Sequence, residues 1–289
     1  MKAPAGQLPL FTLPADGRPD GRGPHGACDP ASARRSAAPA PRPASRRRGG
    51  AGRRLRERAL DVLGETLFPT RCAVCDAPGT PLCPGCAAAL PYIDALLACP
   101  RCGAPFGRVQ CTECNPVLLA PFGYEEPPWN AAASALVLTE QARRIVTVYK
   151  DQGERSLARP MAAIMARYVP PRWLRDRPAV AFVPATAAAR RRRGFDHAER
   201  LARELSWAIG AEPAPLLDMP QRLDQRGLSR GARIGNMRES MAVLPGASVP
   251  RAVIVVDDVC TTGATLFAAA EALRKGGAEA LYALTFARA

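Results

Sequence analysis

Eight of the ten cysteines fall within 43 residues, as four Cys-x-x-Cys pairs: Cys72/Cys75, Cys83/Cys86, Cys99/Cys102 and Cys111/Cys114. Two cysteines at this spacing bring both thiolates to one tetrahedral Zn²⁺ at about 2.3 Å, and Gly85, Gly103 and Pro78 or Pro84 suit the tight turns. Four pairs therefore predict two four-cysteine zinc sites. A disulfide framework would need an oxidising compartment, and cysteines two apart make poor mutual disulfides. A thioredoxin-like redox motif needs one pair, not four. A segment this short, with few large apolar side chains, cannot hold together by core burial, whereas each structural zinc supplies on the order of 10–16 kcal/mol of folding free energy. Four thiolates leave no coordination position open for water, so the zinc is structural rather than catalytic. Spacing leaves the pairing open. Sequential sites, which are preferred, would use Cys72, Cys75, Cys83 and Cys86, then Cys99, Cys102, Cys111 and Cys114; a cross-brace would interleave the pairs. Cys28 and Cys260 are not ligand candidates.

Charge divides the rest of the chain. There are 40 Lys and Arg against 26 Asp and Glu, a net charge of +14, and residues 1–58 hold 13 of the basic residues but four acidic ones. That stretch is crowded with Pro, Gly and Ala and lacks sustained periodicity, so it cannot bury enough surface to offset its ordering entropy. A disordered basic tail is expected over 1–54, read as a solvated tail or, more sharply, as a polyanion-binding arm. No continuous apolar segment follows a basic start, so export is not expected. The apolar stretches stay well below the roughly 18 residues of a membrane span, which predicts a soluble, cytoplasmic protein. Order is expected to begin with an amphipathic helix over Leu55–Leu67, stopped by Pro69. The expected division is 1–54, a helix and double zinc module over 55–120, and an α/β domain over 121–289.

In that last part strands and helices alternate. Ser134–Leu138, Ala179–Val183, Val253–Val256 and Leu281–Phe286 read as buried strands; Gln141–Tyr149, Ser156–Tyr168 and His197–Ile209 read as helices. The alternation predicts an α/β fold with a mainly parallel sheet covered on both faces. Trp129, Trp173 and Trp207 read as core or domain-packing residues.

The most informative segment is Ala252-Val253-Ile254-Val255-Val256-Asp257-Asp258-Val259-Cys260-Thr261-Thr262-Gly263-Ala264-Thr265-Leu266. An apolar strand runs into two carboxylates, then a loop of small and hydroxyl residues, then a helix carrying Leu266, Ala269, Ala270 and Leu273. Ligands of open α/β sheets sit at the carboxyl ends of strands, and a helix amino terminus offers N–H groups to a phosphate. Thr261, Thr262 and Thr265 add hydroxyl donors, and Gly263 lets the backbone approach closely. Asp257 and Asp258 repel a phosphate, so they face hydroxyls or a cation. A sugar phosphate satisfies both halves.

This segment resembles the ribose-phosphate loop of type I phosphoribosyltransferases. Together with an amino-terminal cysteine block it resembles the ComF family, linked to natural competence and DNA uptake. Further similarity lies in Val183 and Pro184 followed by Arg193, Gly194 and Phe195, where the usual Asn-Gln is Asp196-His197. It also lies in Gln225, Leu228, Ser229, Arg233 and Asn236, with Arg222 for the usual Thr and Met241 for the usual Phe, and in Tyr149, Lys150 and Gly153. The resemblance implies a type I phosphoribosyltransferase-like domain that binds phosphoribosyl pyrophosphate, or a related sugar phosphate, with Mg²⁺. Asp257 and Asp258 would hold the ribose hydroxyls as the catalytic pair, while Thr261, Thr262, Gly263, Ala264 and Thr265 would cradle the 5′-phosphate. Cations at the leaving pyrophosphate would come from Mg²⁺, from Arg190 to Arg193 and from Lys150. The family also implies handling of single-stranded DNA and a competence helicase as partner. Two classes remain open: a phosphoribosyltransferase, and a non-catalytic single-stranded DNA-binding module. His197 reads as a helix-start residue.

Overall fold

A computed structural model describes residues 70–120, 123–218 and 241–289. The expected tail, the Leu55–Leu67 helix, Cys28 and the polar segment from Gln225 to Asn236 lie outside the described residues.

Among the described residues, five strands form one sheet in the order β1-β7-β6-β2-β3: β1 (Ala131–Val137), β2 (Ala179–Phe182), β3 (Glu212–Pro213), β6 (Ala252–Cys260) and β7 (Ala280–Arg288). Every pairing in it is parallel, as the alternation of strands and helices predicted. β4 (Leu217–Asp218) and β5 (Ala242–Val243) form a separate antiparallel pair.

Alternation along β6 builds two cores. Ile254 and Val256 face a cluster containing residues of α3 (Glu140–Lys150), α4 (Ala158–Ala166) and α7 (His197–Ile209). Val253 and Val255 face α8 (Ala264–Lys275), which buries Leu266, Ala269, Ala270 and Leu273. The helices obey local rules. In α7, the Asp196 carboxylate accepts the N–H groups of Ala198 and Glu199, and Gly210 ends the helix in the left-handed region at φ 68°. The Ser156–Tyr168 expectation resolves into a 3-10 turn over Arg155–Leu157 followed by the shorter α4.

β6 departs most from its expected limits. The apolar run ends at Val256, yet pairing with β7 continues through Asp257 to Cys260, opposite Thr285 to Arg288. Both carboxylates therefore sit in the strand, not in the loop after it. An ionised side chain remains there because Asp258 has a cationic partner, described below.

The cysteine segment leans on the sheet. Tyr92 makes an antiparallel bridge to Leu136, flanked by Ile93 N–H to Ala135 O and Val137 N–H to Pro91 O, both 2.9 Å, so residues 91–93 run along the outer edge of β1. Further on, three successive carbonyls accept from the domain: Pro100 from Ala132 N–H at 3.4 Å, Arg101 from Trp129 Nε1–H at 2.7 Å and Cys102 from an arginine at 2.9 Å. Two of the three tryptophans pack as expected: Trp129 against Phe267, and Trp173 stacked on Tyr282. Trp207 is exposed on α7, with Arg159 over its ring, which corrects the expectation of a packed residue. Among the described residues no helix is long and apolar enough to cross a membrane.

Candidate ligand-binding site and metal centres

The eight thiols gather into two sets, Cys72, Cys75, Cys83 and Cys86, and Cys99, Cys102, Cys111 and Cys114, with all sulfurs of a set within 4.8 Å of one another. The arrangement is sequential, not cross-braced. A tetrahedron with metal–sulfur bonds of about 2.3 Å has edges of about 3.8 Å. The Sγ–Sγ distances of 3.7 Å for Cys75/Cys83, 3.7 Å for Cys99/Cys114 and 3.6 Å for Cys102/Cys111 fit that edge and far exceed a disulfide bond. The residues present thus fit structural zinc at both places.

The two ribbons repeat each other. Cys72 N–H bonds Ala77 O and Cys99 N–H bonds Ala104 O, while Asp76 N–H returns to Cys72 O and Gly103 N–H to Cys99 O. Asp76 at φ 65° and Gly103 at φ 77° occupy the same left-handed position after the second cysteine of their knuckles. Gly103 also needs to lack a side chain: a Cβ there would meet the Ala133 backbone at 3.1 Å. Gly85, expected in a turn, instead lies inside the short helix α1 (Pro84–Ala88), opened by Pro84. The ribbons differ in what surrounds them. Cys72, Ala73, Leu82 and Leu90 belong to the main core, whereas the second set clusters with Ala104.

At the carboxyl end of β6, alternation sends the two aspartates to opposite faces. Asp258, 2% exposed, turns toward α3 and α7, where Lys150 Nζ lies 2.6 Å from its Oδ2 and His197 Nε2 3.6 Å from the same oxygen. Behind His197, Arg193 Nη1 lies 3.3 Å from Nδ1 and its Nη2 3.1 Å from Asp151 Oδ1. A guanidinium only donates, so Nδ1 is the acceptor and Nε2 carries the hydrogen facing Asp258. Tyr149 O–H donates to the His197 carbonyl. Residues Tyr149 to Asp151, Arg193, His197 and Asp258 thus form one connected network from the end of α3, the end of α6 (Ala187–Arg193), the start of α7 and β6. Its members are far apart in sequence, so spacing gave no sign of it; His197 starts its helix, as expected, but its buried contacts carried no local signature.

Burial pushes the His197 imidazole down to about 4; the Asp258 carboxylate opposes this, and the Lys150 and Arg193 cations reinforce it. An unfolded histidine titrates near 6.5. Between about 6.5 and 4 the unfolded chain therefore binds a proton that the folded chain does not, and stability falls as pH falls through that window. His197→Gln is expected to remove this loss. Urea unfolding of both proteins should show the stability difference moving in the variant's favour by about 2 kcal/mol between pH 7 and 5; parallel pH profiles would disprove it.

Asp257 is half-buried on the α8 side, and its Oδ1 accepts the Asp258 N–H at 2.9 Å. Burial of its carboxyl, then repulsion from Asp258, holds it well above the usual carboxylate range, with Lys150 offsetting part of the effect. Beyond it, Thr261 and Thr262 are exposed, Gly263 is left-handed at φ 76°, and Ala264 and Thr265 open α8. The Gly263 cap position supplies no side chain to the first turn of α8, and Thr262 Oγ1 approaches the Ala264 N–H at 3.4 Å. Nearby, β2 ends in Val183 and Pro184, and α6 (Ala187–Arg193), capped by Thr186, carries the arginines. Arg190, Arg191 and Arg192 are exposed, whereas Arg193 turns inward with its side chain 13% exposed. Of the residues singled out in the sequence, the fold brings together Asp257, the 261–265 loop and the start of α8. It gives Lys150 to Asp258, and Arg193 to Asp151 and His197.

Comparison with known proteins locates the chain. Residues 63–116 match the Double zinc ribbon domain. The DNA utilization protein YhgH of Salmonella typhi is 28% identical over 206 residues, which are 68% of this chain and 86% of that protein. Competence protein F of Haemophilus influenzae is 28% identical over 225 residues, 72% of this chain and 90% of that one. Among solved structures, one described as the allosteric regulatory enzyme of purine biosynthesis overlaps 45% of this chain and 26% of its own, at 16% identity and a TM-score of 0.30.

Proposed function

From its kinship with competence protein F and the DNA utilization proteins, we propose that the chain is a ComF-type protein that binds phosphoribosyl pyrophosphate or a closely related sugar phosphate with Mg²⁺. The observation that carries this reading is the surface at the carboxyl end of β6. There a protonatable carboxyl, Asp257, stands beside exposed threonine hydroxyls and a helix start whose cap residue has no side chain. The loop residues Thr261 to Thr265 and the first N–H groups of α8 suit a phosphate. Asp257 suits the ribose hydroxyls, since its carboxyl oxygens accept hydrogen bonds from them. Asp258, engaged by Lys150 and nearly inaccessible, acts from behind by fixing the strand end. Because this leaves Asp257 to face the ligand, Mg²⁺ would be held chiefly by the ligand's own phosphate oxygens, the manner in which this cation binds nucleotides. Its chemistry there would be to neutralise the pyrophosphate as it leaves in pentosyl transfer. Arg190 to Arg192, on the helix that follows β2, add positive charge at the same, carboxyl-terminal end of the sheet.

Isothermal titration of the full chain with phosphoribosyl pyrophosphate and Mg²⁺ tests the reading. Saturable binding is expected, weakened about 10- to 100-fold in Asp257→Ala, the loss typical of a hydrogen bond to an ionisable group. No binding, or binding unchanged in Asp257→Ala, removes it. The relatives' names tie them to DNA utilization and competence, and the three exposed arginines could meet a nucleic-acid backbone. Single-stranded DNA binding that falls steeply with salt and persists in Asp257→Ala would assign DNA to that ridge rather than to the loop.

A further inference from the structure

We propose that Arg288 is a positioning residue through which the metal-bound second ribbon holds the Cys260–Thr265 loop in its ligand-ready shape. Its side chain is 10% exposed and sits between two parts of the fold. On the ribbon side, Nε and Nη2 donate to Glu113 Oε2 at 2.9 and 2.7 Å, and Nη1 donates to the Cys102 carbonyl at 2.9 Å. On the loop side, Nη1 lies 3.4 Å from Cys260 Sγ, and the neighbouring Ala289 N–H donates to the Cys260 carbonyl at 2.9 Å. Each ribbon contact is at or beside a thiol of the second set: Cys102 belongs to it, and Glu113 lies between Cys111 and Cys114. Cys260 immediately precedes Thr261 and pairs across the sheet with Arg288 itself.

A planar guanidinium can serve these acceptors at once in a fixed geometry, which a lysine ammonium cannot. The second set has little apolar core of its own, so the positions of Cys102 and Glu113 depend on the metal. When they move, the Arg288 side chain loses its ribbon partners and becomes a buried cation without fixed acceptors, and the strand end at Cys260 is left to its backbone pairing alone. Zinc in the ribbon and order in the loop are then linked, and linkage between two binding events runs in both directions with the same factor. The functional consequence rests on the ligand-binding reading given above, but the order of the loop can be read without any ligand.

The test is hydrogen exchange of the full chain, read on peptides covering residues 258–268, for the wild type, Cys111→Ser, Arg288→Lys and the double variant. Cys111→Ser is expected to speed exchange there about tenfold. Arg288→Lys, still carrying two zinc ions, should do the same, and the double variant should add nothing, because both act through one link. Exchange in β2 and α4, neither of which bonds to the second ribbon, should stay at wild-type rates. Phosphoribosyl pyrophosphate affinity should fall about tenfold in each variant. Wild-type exchange over 258–268 in Arg288→Lys, additive effects in the double variant, or a rise spread over β2 and α4 would each overturn the proposal. If the wild type binds no phosphoribosyl pyrophosphate while the exchange pattern holds, the ligand assignment fails and the link stands. Normal binding with unchanged exchange gives the reverse.

Discussion

The Cys99→Ser protein is expected to carry one zinc ion per chain instead of two and to lose hydrogen-exchange protection across residues 99–114, with the first ribbon still folded. The two ribbons share a backbone plan but not a setting. The second set of thiols clusters with Ala104 and little else, so the metal replaces a core, and a structural zinc of this kind is worth on the order of 10–16 kcal/mol of apparent folding free energy. Serine is a poor zinc ligand, and three thiolates around an incomplete site repel one another. The first ribbon, by contrast, buries Cys72, Ala73, Leu82 and Leu90 in the main cluster, so apolar packing holds it in addition to metal. Zinc content by mass spectrometry under native conditions, together with peptide-level exchange, checks the expectation. Two zinc ions retained, or protection lost equally in both ribbons, would contradict it.

Lys150→Met is expected to destabilise the domain by about 3–5 kcal/mol, the cost typical of removing one partner of a buried ion pair. The asymmetry of exposure decides the size: Asp258 is 2% exposed and Lys150 26%, so the carboxylate is the member left without compensation. Met preserves the aliphatic stem and isolates the loss of charge. At roughly 2–4 °C per kcal/mol for a domain of this size, the melting temperature should fall by about 6–20 °C. Adding Asp258→Leu should recover most of that loss, since an apolar pair of similar volume replaces a buried ion pair at little cost. A Lys150→Met melting temperature within a degree or two of the wild type would show that water reaches Asp258 and that the pair is not a buried one.

What could be read from the sequence follows from the range of the interaction. The zinc sets were legible because each knuckle is local: four residues fix two ligands, and the turn after the second cysteine is written in Gly103. The strand, loop and helix from Ala252 to Leu273 were legible for the same reason. The network around Asp258 was not, because Lys150 and His197 reach it from other elements, and no periodicity marks a pairing that the sheet order alone creates. Arg288 lies beyond the expected strand Leu281–Phe286 and carries no local signature; its partner Glu113 is 175 residues away. The limits of β6 were misplaced because a charge was taken as the end of a strand, although a paired carboxylate can remain inside one. Trp207 is different, for the signal was there. Two residues beyond Leu205, it falls about 200° round the helix from the buried face, so its position on α7 already marks an exposed residue.

The antiparallel bridge between Tyr92 and Leu136 has a consequence for how the molecule behaves in a crowd. An open sheet ends in two rows of unsatisfied backbone groups, each a template on which another chain can polymerise. Here one border, β3, is two residues long and includes Pro213, which lacks an N–H to offer. The other, β1, is seven residues long and rich in alanine, a far better template, and residues 91–93 lie along it. The linker between the ribbons therefore works as a stopper: it terminates a sheet that could otherwise keep growing.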